Sequence, residues 1–269
     1  MPKALDLNAA VSICLREPRS RTRQLLAANR RFIAALDKRR HASMGLLALR
    51  RYFSRFRFPQ REQVTDLLSR DSRSRIIAAY HFGEYVYGMN YFTAQFTKLA
   101  EFAYLSLDRG SSEYFANLRL IFGERALPAD RQYLARSTDS AQISRLLHSS
   151  RMNMVLFSDL PAAFGGKTIE VEFLQRPARF SCGVATLAVV NRVPLLPVVI
   201  FASSGYQHIY VASQLEPVTG PEETRSAVIT RLTQALVDLL EYFFLRDPAQ
   251  WRYLSALPQY LMEQQARET

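Results

Sequence analysis

His81 closes the run Arg75-Ile-Ile-Ala-Ala-Tyr80-His81, and Phe82, Gly83 and Glu84 lead from it into the aromatic-rich stretch Tyr85-Val-Tyr-Gly88. A short apolar run of this kind reads as a buried strand, which puts the imidazole at a strand's carboxyl end, where open α/β sheets place ligands and chemistry. An imidazole there can take a proton from a substrate near neutral pH, the work of a general base. Gly83 lets backbone approach a ligand closely. With a helix starting near Phe82, Glu84 shares a face with His81, and a carboxylate so placed fixes the ring's tautomer and stabilises the imidazolium. The same carboxylate also complements a helix N-terminus, and the two roles are compatible.

Nothing else in the chain competes as a reactive centre. Of the four histidines, His41 lies in the charged turn Lys-Arg-Arg-His, His148 near the end of a basic helix, and His208 in an alternating strand. These three read as surface or structural residues. Ala202-Ser203-Ser204-Gly205 lacks the flanking glycines of a nucleophile elbow. The chain has no P-loop, no G-x-G-x-x-G and no Cys/His cluster, so ATP, dinucleotide and zinc chemistry find no support. Cys14 and Cys182 have no metal spacing, read as packing residues and suit a reducing compartment.

The elements that must carry His81 alternate along the chain. Strand-like runs occur at 75–80, 101–106, 131–135, 152–157, 168–174, 195–201 and 207–212. Helical stretches at 84–96, 111–122, 139–149, 181–191 and 222–245 fall between or after them. Alternation with buried-type strands predicts an α/β fold, a mainly parallel mixed central sheet flanked by helices. Ahead of it, apolar residues at helical spacing predict helices over 4–15, 20–37, 42–56 and 60–70. The organisation expected is a basic helical N-terminal cap, residues 1–70, forming one compact unit with an α/β domain, residues 71–269.

Charge divides along the same line. The chain carries a formal net charge of +11, and 31 of its 35 basic residues are arginine. Residues 1–70 hold 16 Lys/Arg against 5 Asp/Glu, whereas the remainder holds 19 of each. The excess therefore belongs to the cap and points to a docking surface. The stretch 42–56 sets Met44, Leu46, Leu47, Leu49, Tyr52, Phe53 and Phe56 among Arg50, Arg51 and Arg55. Such a pattern either packs its apolar stripe on the core or lies on an anionic bilayer, and packing is the favoured reading. No nucleic-acid-binding module is recognisable, so nucleic acid is not the expected partner. No signal peptide and no run of 18 apolar residues is present, so the expected location is cytoplasmic, with peripheral contact to the inner face of the membrane.

Several blocks, in order, resemble one superfamily. His81-Phe82-Gly83 after an apolar strand is similar to the histidine block of the lysophospholipid acyltransferase-like superfamily, closest to the bacterial lipid A biosynthesis (lauroyl/myristoyl) branch. Met154-Val-Leu-Phe-Ser-Asp159 resembles that branch's aspartate-bearing strand end. Gly165-Gly166, the strand Val171-Glu-Phe173, the turn Arg176-Pro177-Ala178, the alanine-rich helix with Ala185 and Ala188, and the strand Pro197-Val198 follow in the same order. Asp247-Pro248-x-Gln250-Trp251 is a weaker match. Together they span about residues 20–255.

The resemblance implies an acyltransferase with no bound cofactor, taking its acyl group from coenzyme A or from a phosphopantetheine-linked acyl carrier protein or carrier domain. His81 would deprotonate an acceptor hydroxyl or amine, with Glu84 beside it, and the acceptor would attack the thioester. Asp159 would shape the site. Arg176, or backbone amides near Gly165 and Gly166, would meet the oxyanion, and Arg109 an anionic group on acceptor or donor. Tyr85 and its aromatic neighbours Tyr80, Phe82, Tyr87, Tyr91 and Phe92 would line an acyl tunnel, unless they are plain core. This chain departs from the pattern at Val86, where the family's acid falls five positions after the histidine. Either Glu84 takes over that part from three positions on, or the relay is lost. Leu160 replaces a common glutamine, and no N-terminal membrane anchor is read. The alternatives are a non-catalytic descendant that binds lipid or carrier protein, and nucleic-acid or membrane binding by the cap alone.

Overall fold

The computed structural model describes residues 6–106, 111–123, 132–134, 140–148, 152–164, 166–218, 220 and 223–261. Helices α1 (Leu7–Leu15), α2 (Arg19–Arg40) and α3 (Leu46–Phe53) lead into strand β1 (Phe56–Arg57) and helix α4 (Arg61–Arg70). Then come β2 (Arg75–Ala79), α5 (Tyr85–Ala94), β3 (Glu101–Ser106), α6 (Ser112–Phe122), β4 (Gln132–Leu134), α7 (Ser140–His148) and β5 (Met152–Phe157). A hairpin of β6 (Thr168–Phe173) and β7 (Arg176–Ser181) precedes α8 (Gly183–Asn191), β8 (Leu195–Ser203), β9 (Tyr206–Val211), α9 (Arg225–Phe244) and the single turn α10 (Leu257–Tyr260).

Among the described residues, seven strands form one sheet in the order β1-β9-β8-β2-β5-β3-β4. Every neighbouring pair is parallel except β8 with β9. The fold is therefore mixed α/β with a mainly parallel sheet, as the alternating pattern predicts. Strand β2 lies at the centre, and all five of its residues are buried. Successive side chains point to opposite faces. Ile76 and Ala78 join Met154, Leu156 and Val199 in a core covered by α8 and α9. Ile77 and Ala79 join Val155, Val198 and Ile200 in a second core under α3 to α6. The site therefore sits on a strand clamped from both sides.

Two strands depart from the expected pattern. Phe56–Arg57 pairs with β9, so the segment read as a helical cap also contributes an edge strand, too short to show a period. Arg176-Pro177-Ala178, expected as a turn, opens β7 instead. The turn is Leu174-Gln175, with φ of +56° and +59°, and two such residues match the twist of a tight hairpin. Ala178 and Phe180 then point inward while Pro177 and Arg179 face out.

Two glycines let the chain after β2 pass close over β8. Gly83 has φ +57°, and a Cβ there would lie 2.3 Å from the Ile200 carbonyl oxygen. A Cβ on Gly88 would lie 2.7 Å from Ile200 Cγ2, so α5 rides directly on that side chain. Both positions exclude larger residues on steric grounds, and Gly83 on backbone conformation as well.

Candidate active site

Parallel register builds the centre of the site. Ala79 of β2 lies opposite Phe157 of β5. Equal steps beyond the two strand ends bring His81 and Asp159 side by side. Ser158 N–H donates to the Ala79 carbonyl at 2.9 Å, carrying the ladder to the point of divergence. The His81 backbone N–H then donates to Asp159 Oδ2, and His81 Nδ1 lies 2.9 Å from Asp159 Oδ1. Trp251 Nε1–H donates to Oδ2 at 2.9 Å, and the Tyr260 hydroxyl donates to the Asp159 carbonyl at 2.6 Å.

Asp159 is buried, and the backbone N–H of His81 and the indole N–H of Trp251 converge on its Oδ2, the surroundings of an acceptor-only carboxylate. The imidazole facing Oδ1 therefore carries its proton on Nδ1, and Nε2 keeps the basic lone pair. Among the described residues no hydrogen-bond partner meets Nε2, and the side chain is 13% exposed. The ring is walled by Phe157, Tyr85 and Tyr253, with centroids 4.1, 4.9 and 5.0 Å away. Burial pushes the Tyr85 hydroxyl up to about 12, against the opposing pull of Arg252 and Arg40, so it stays a neutral O–H donor.

A third segment locks the histidine's own backbone. Gly83 N–H donates to the Gln250 carbonyl at 3.1 Å, and Arg252 N–H donates to the His81 carbonyl at 2.9 Å. The Gln250 side chain accepts from Ala202 N–H at 2.6 Å and donates to Ala202 O and Asp247 Oδ2 at 2.9 and 2.8 Å. From α2, Asn29 Nδ2 donates to the carbonyls of Ala249 and Trp251 at 2.9 and 2.7 Å. The Asp247-to-Trp251 stretch is thus tied to β8, to α2 and to the His81 loop at once.

Glu84 has a different partner from the one expected. Its Oε2 accepts from Arg39 Nε at 2.9 Å and lies 2.8 Å from the second guanidinium nitrogen. The Arg39 guanidinium also lies 5.9 Å over the Tyr52 ring. The expectation rested on a helix starting near Phe82, but α5 starts at Tyr85. Gly83 in the left-handed region turns the chain first, so His81 and Glu84 share no helical face. Glu84 instead holds the end of α2 against the loop that follows the histidine.

Burial raises the Glu84 carboxyl above its usual range, and Arg39 pulls the other way. With the folded value above the unfolded one, wild-type stability relative to Glu84→Gln is greatest below the unfolded value and declines as pH rises through the folded one. Because Asp159 holds the imidazole, Glu84→Gln is expected to reduce kcat less than about tenfold, with thermal unfolding as the second readout. A loss of about a thousandfold at unchanged melting temperature would return Glu84 to the proton relay.

The other expected residues scatter. Arg176 lines a depression of about 270 Å³ with Cys14, Arg16, Gln175 and Glu241, and His81 is not among its lining residues. Gly166, with φ +113°, is exposed just before β6. Arg109 and Gly165 lie outside the described residues. Of the aromatic stripe, Tyr87 and Phe92 are fully buried in the core over the sheet, whereas Tyr85 faces His81. Trp251, Tyr253, Tyr260 and Arg39 had no individual signal in the sequence. Only the order of Asp247-Pro248-x-Gln250-Trp251 hinted at the first of them.

The family model for bacterial lipid A biosynthesis acyltransferases matches residues 47–258, a span that includes His81, Asp159 and Trp251. The chain belongs to that family. It is an acyltransferase enzyme of the lipid A biosynthesis type. No curated protein matches the chain at a significant level. Among the described residues, no helix is long and apolar enough to cross a membrane.

Proposed function

We propose that this family member moves an acyl group from a thioester donor, acyl-CoA or an acyl carrier protein, to a hydroxyl or amine acceptor, with His81 as general base and Asp159 as the carboxylate that orients it. The observation that carries this reading is the 2.9 Å contact of His81 Nδ1 with buried Asp159, which leaves Nε2 as the basic nitrogen. Nε2 takes the proton of the acceptor O–H or N–H as that atom forms its bond to the thioester carbonyl carbon. The carbonyl π electrons move to oxygen, giving a tetrahedral oxyanion. Collapse re-forms the carbonyl and breaks the C–S bond, and the imidazolium returns the proton to the leaving thiolate. Asp159 stays ionised throughout and stabilises the imidazolium. The Phe157, Tyr85 and Tyr253 rings exclude water from the base.

The test is a transfer assay on the full-length protein with acyl-CoA and acyl carrier protein donors and a lipid extract of the host, read by mass spectrometry. Stoichiometric appearance of free thiol and acylated acceptor is the expected result. Binding of acyl carrier protein without turnover across the donor panel would replace this reading with a lipid- or carrier-binding descendant.

A further inference from the structure

The face of α3 turned away from the core is both apolar and basic. Leu49 and Phe53 are buried, as the packing reading of residues 42–56 requires, but Leu46 and Leu47 are 37% and 81% exposed. Arg50 and Arg51, one turn beyond Leu47, are also exposed. Alongside runs α6, joined to the start of α3 by Met44 N–H donating to Asn117 Oδ1 at 3.0 Å and to its end by the Phe53 and Phe122 rings, 5.1 Å apart. The α6 residue Leu120 is 52% exposed. Residues 38–61 contain eight Lys/Arg and no Asp or Glu. A second exposed apolar pair, Ile13 with Leu245, lines a depression that holds Glu241 together with Arg16 and Arg176, so its charge is mixed.

We infer that the α3–α6 face docks on an anionic phospholipid bilayer. Exposed leucines gain free energy only where a partner offers hydrocarbon, and arginines one turn away gain where it offers phosphate. A bilayer supplies both in one plane, whereas an acidic protein surface complements only the arginines. Docking here also bears on the site, since Tyr52 of α3 packs against the Arg39 guanidinium that pairs with Glu84 in the loop following His81. The enzyme would thus sit with the end of α2 and the His81 loop close to the lipid surface.

Docking is measured without turnover, so it stands or falls separately from the acyl-transfer reading, and His81→Ala should bind vesicles as the wild type does. The full-length protein should co-sediment with phosphatidylcholine vesicles containing phosphatidylglycerol, and not with phosphatidylcholine alone. Arg50→Ala with Arg51→Ala should weaken binding about 25-fold, roughly fivefold per charge, and added salt should weaken the wild type in the same sense. Leu47→Ser with Leu120→Ser should weaken it about tenfold or more, with the melting temperature held as the check on folding. Failure of the wild type to bind anionic vesicles at low salt overturns the proposal. So do leucine variants that bind vesicles at full strength, including the case where they lose acyl carrier protein instead, which would make the face a protein interface.

Discussion

Replacing His81 with alanine should lower kcat by about 10⁴-fold or more while the protein remains folded. The loss corresponds to roughly 5.5 kcal/mol of transition-state stabilisation, since each factor of ten is about 1.4 kcal/mol. The acceptor must lose its proton as its oxygen or nitrogen bonds to the acyl carbon, and no other described side chain presents a comparable base beside Nε2. The fold should survive because the backbone contacts remain. His81 N–H still reaches Asp159, Arg252 N–H still reaches the His81 carbonyl, and Gly83 still bonds to Gln250. Circular dichroism and thermal melting would verify this alongside single-turnover transfer. Activity near the wild-type level would remove His81 from the base's role and leave the family assignment standing.

Asp159→Asn is the sharper test of how the base is prepared. One carboxylate oxygen receives two N–H groups, from the His81 backbone and the Trp251 indole. An asparagine keeps those two bonds only by leaving its carbonyl oxygen there. Its NH₂ then faces His81 Nδ1, which must become an acceptor. The proton moves to Nε2, and the nitrogen that should take the substrate's proton already has one. A loss of about 10³- to 10⁴-fold in kcat is expected, with KM and melting temperature little changed. Imidazole nitrogen shifts should report the tautomer exchange directly, a signature that a merely structural aspartate would not produce. Retained activity with the tautomer exchanged would break the link between Asp159 and catalysis.

The parts of this site legible in the sequence are those set by local pattern. Apolar runs of the right length announce β2 and β5, and a residue just past each run lies at a strand's carboxyl end. His81 could therefore be singled out from its own segment, whereas Asp159 was marked only by the family resemblance. Their pairing could not be read, because it depends on β2 and β5 being parallel neighbours in one particular register, a contact across 78 positions. Spacing favoured Glu84 instead, on the premise that the helix begins before it. Gly83 defeats that premise, and its reason is tertiary too, since the Ile200 carbonyl leaves no room for a Cβ and the chain must turn before α5 starts.

Composition likewise located the basic charge in the first 70 residues without saying which way it faces. Leu46, Leu47 and Leu49 have the same hydrophobicity, and only the seating of α3 on the sheet buries the last and exposes the first two. The sequence by itself therefore determined an α/β chain with a histidine at a strand end and a basic amphipathic N-terminal segment, and its resemblance to a family marked the aspartate. The tertiary structure decided which carboxylate holds the histidine and which leucines face outward. Periodicity reports only which residues of one element share a side, whereas proton relays and surfaces are made between elements.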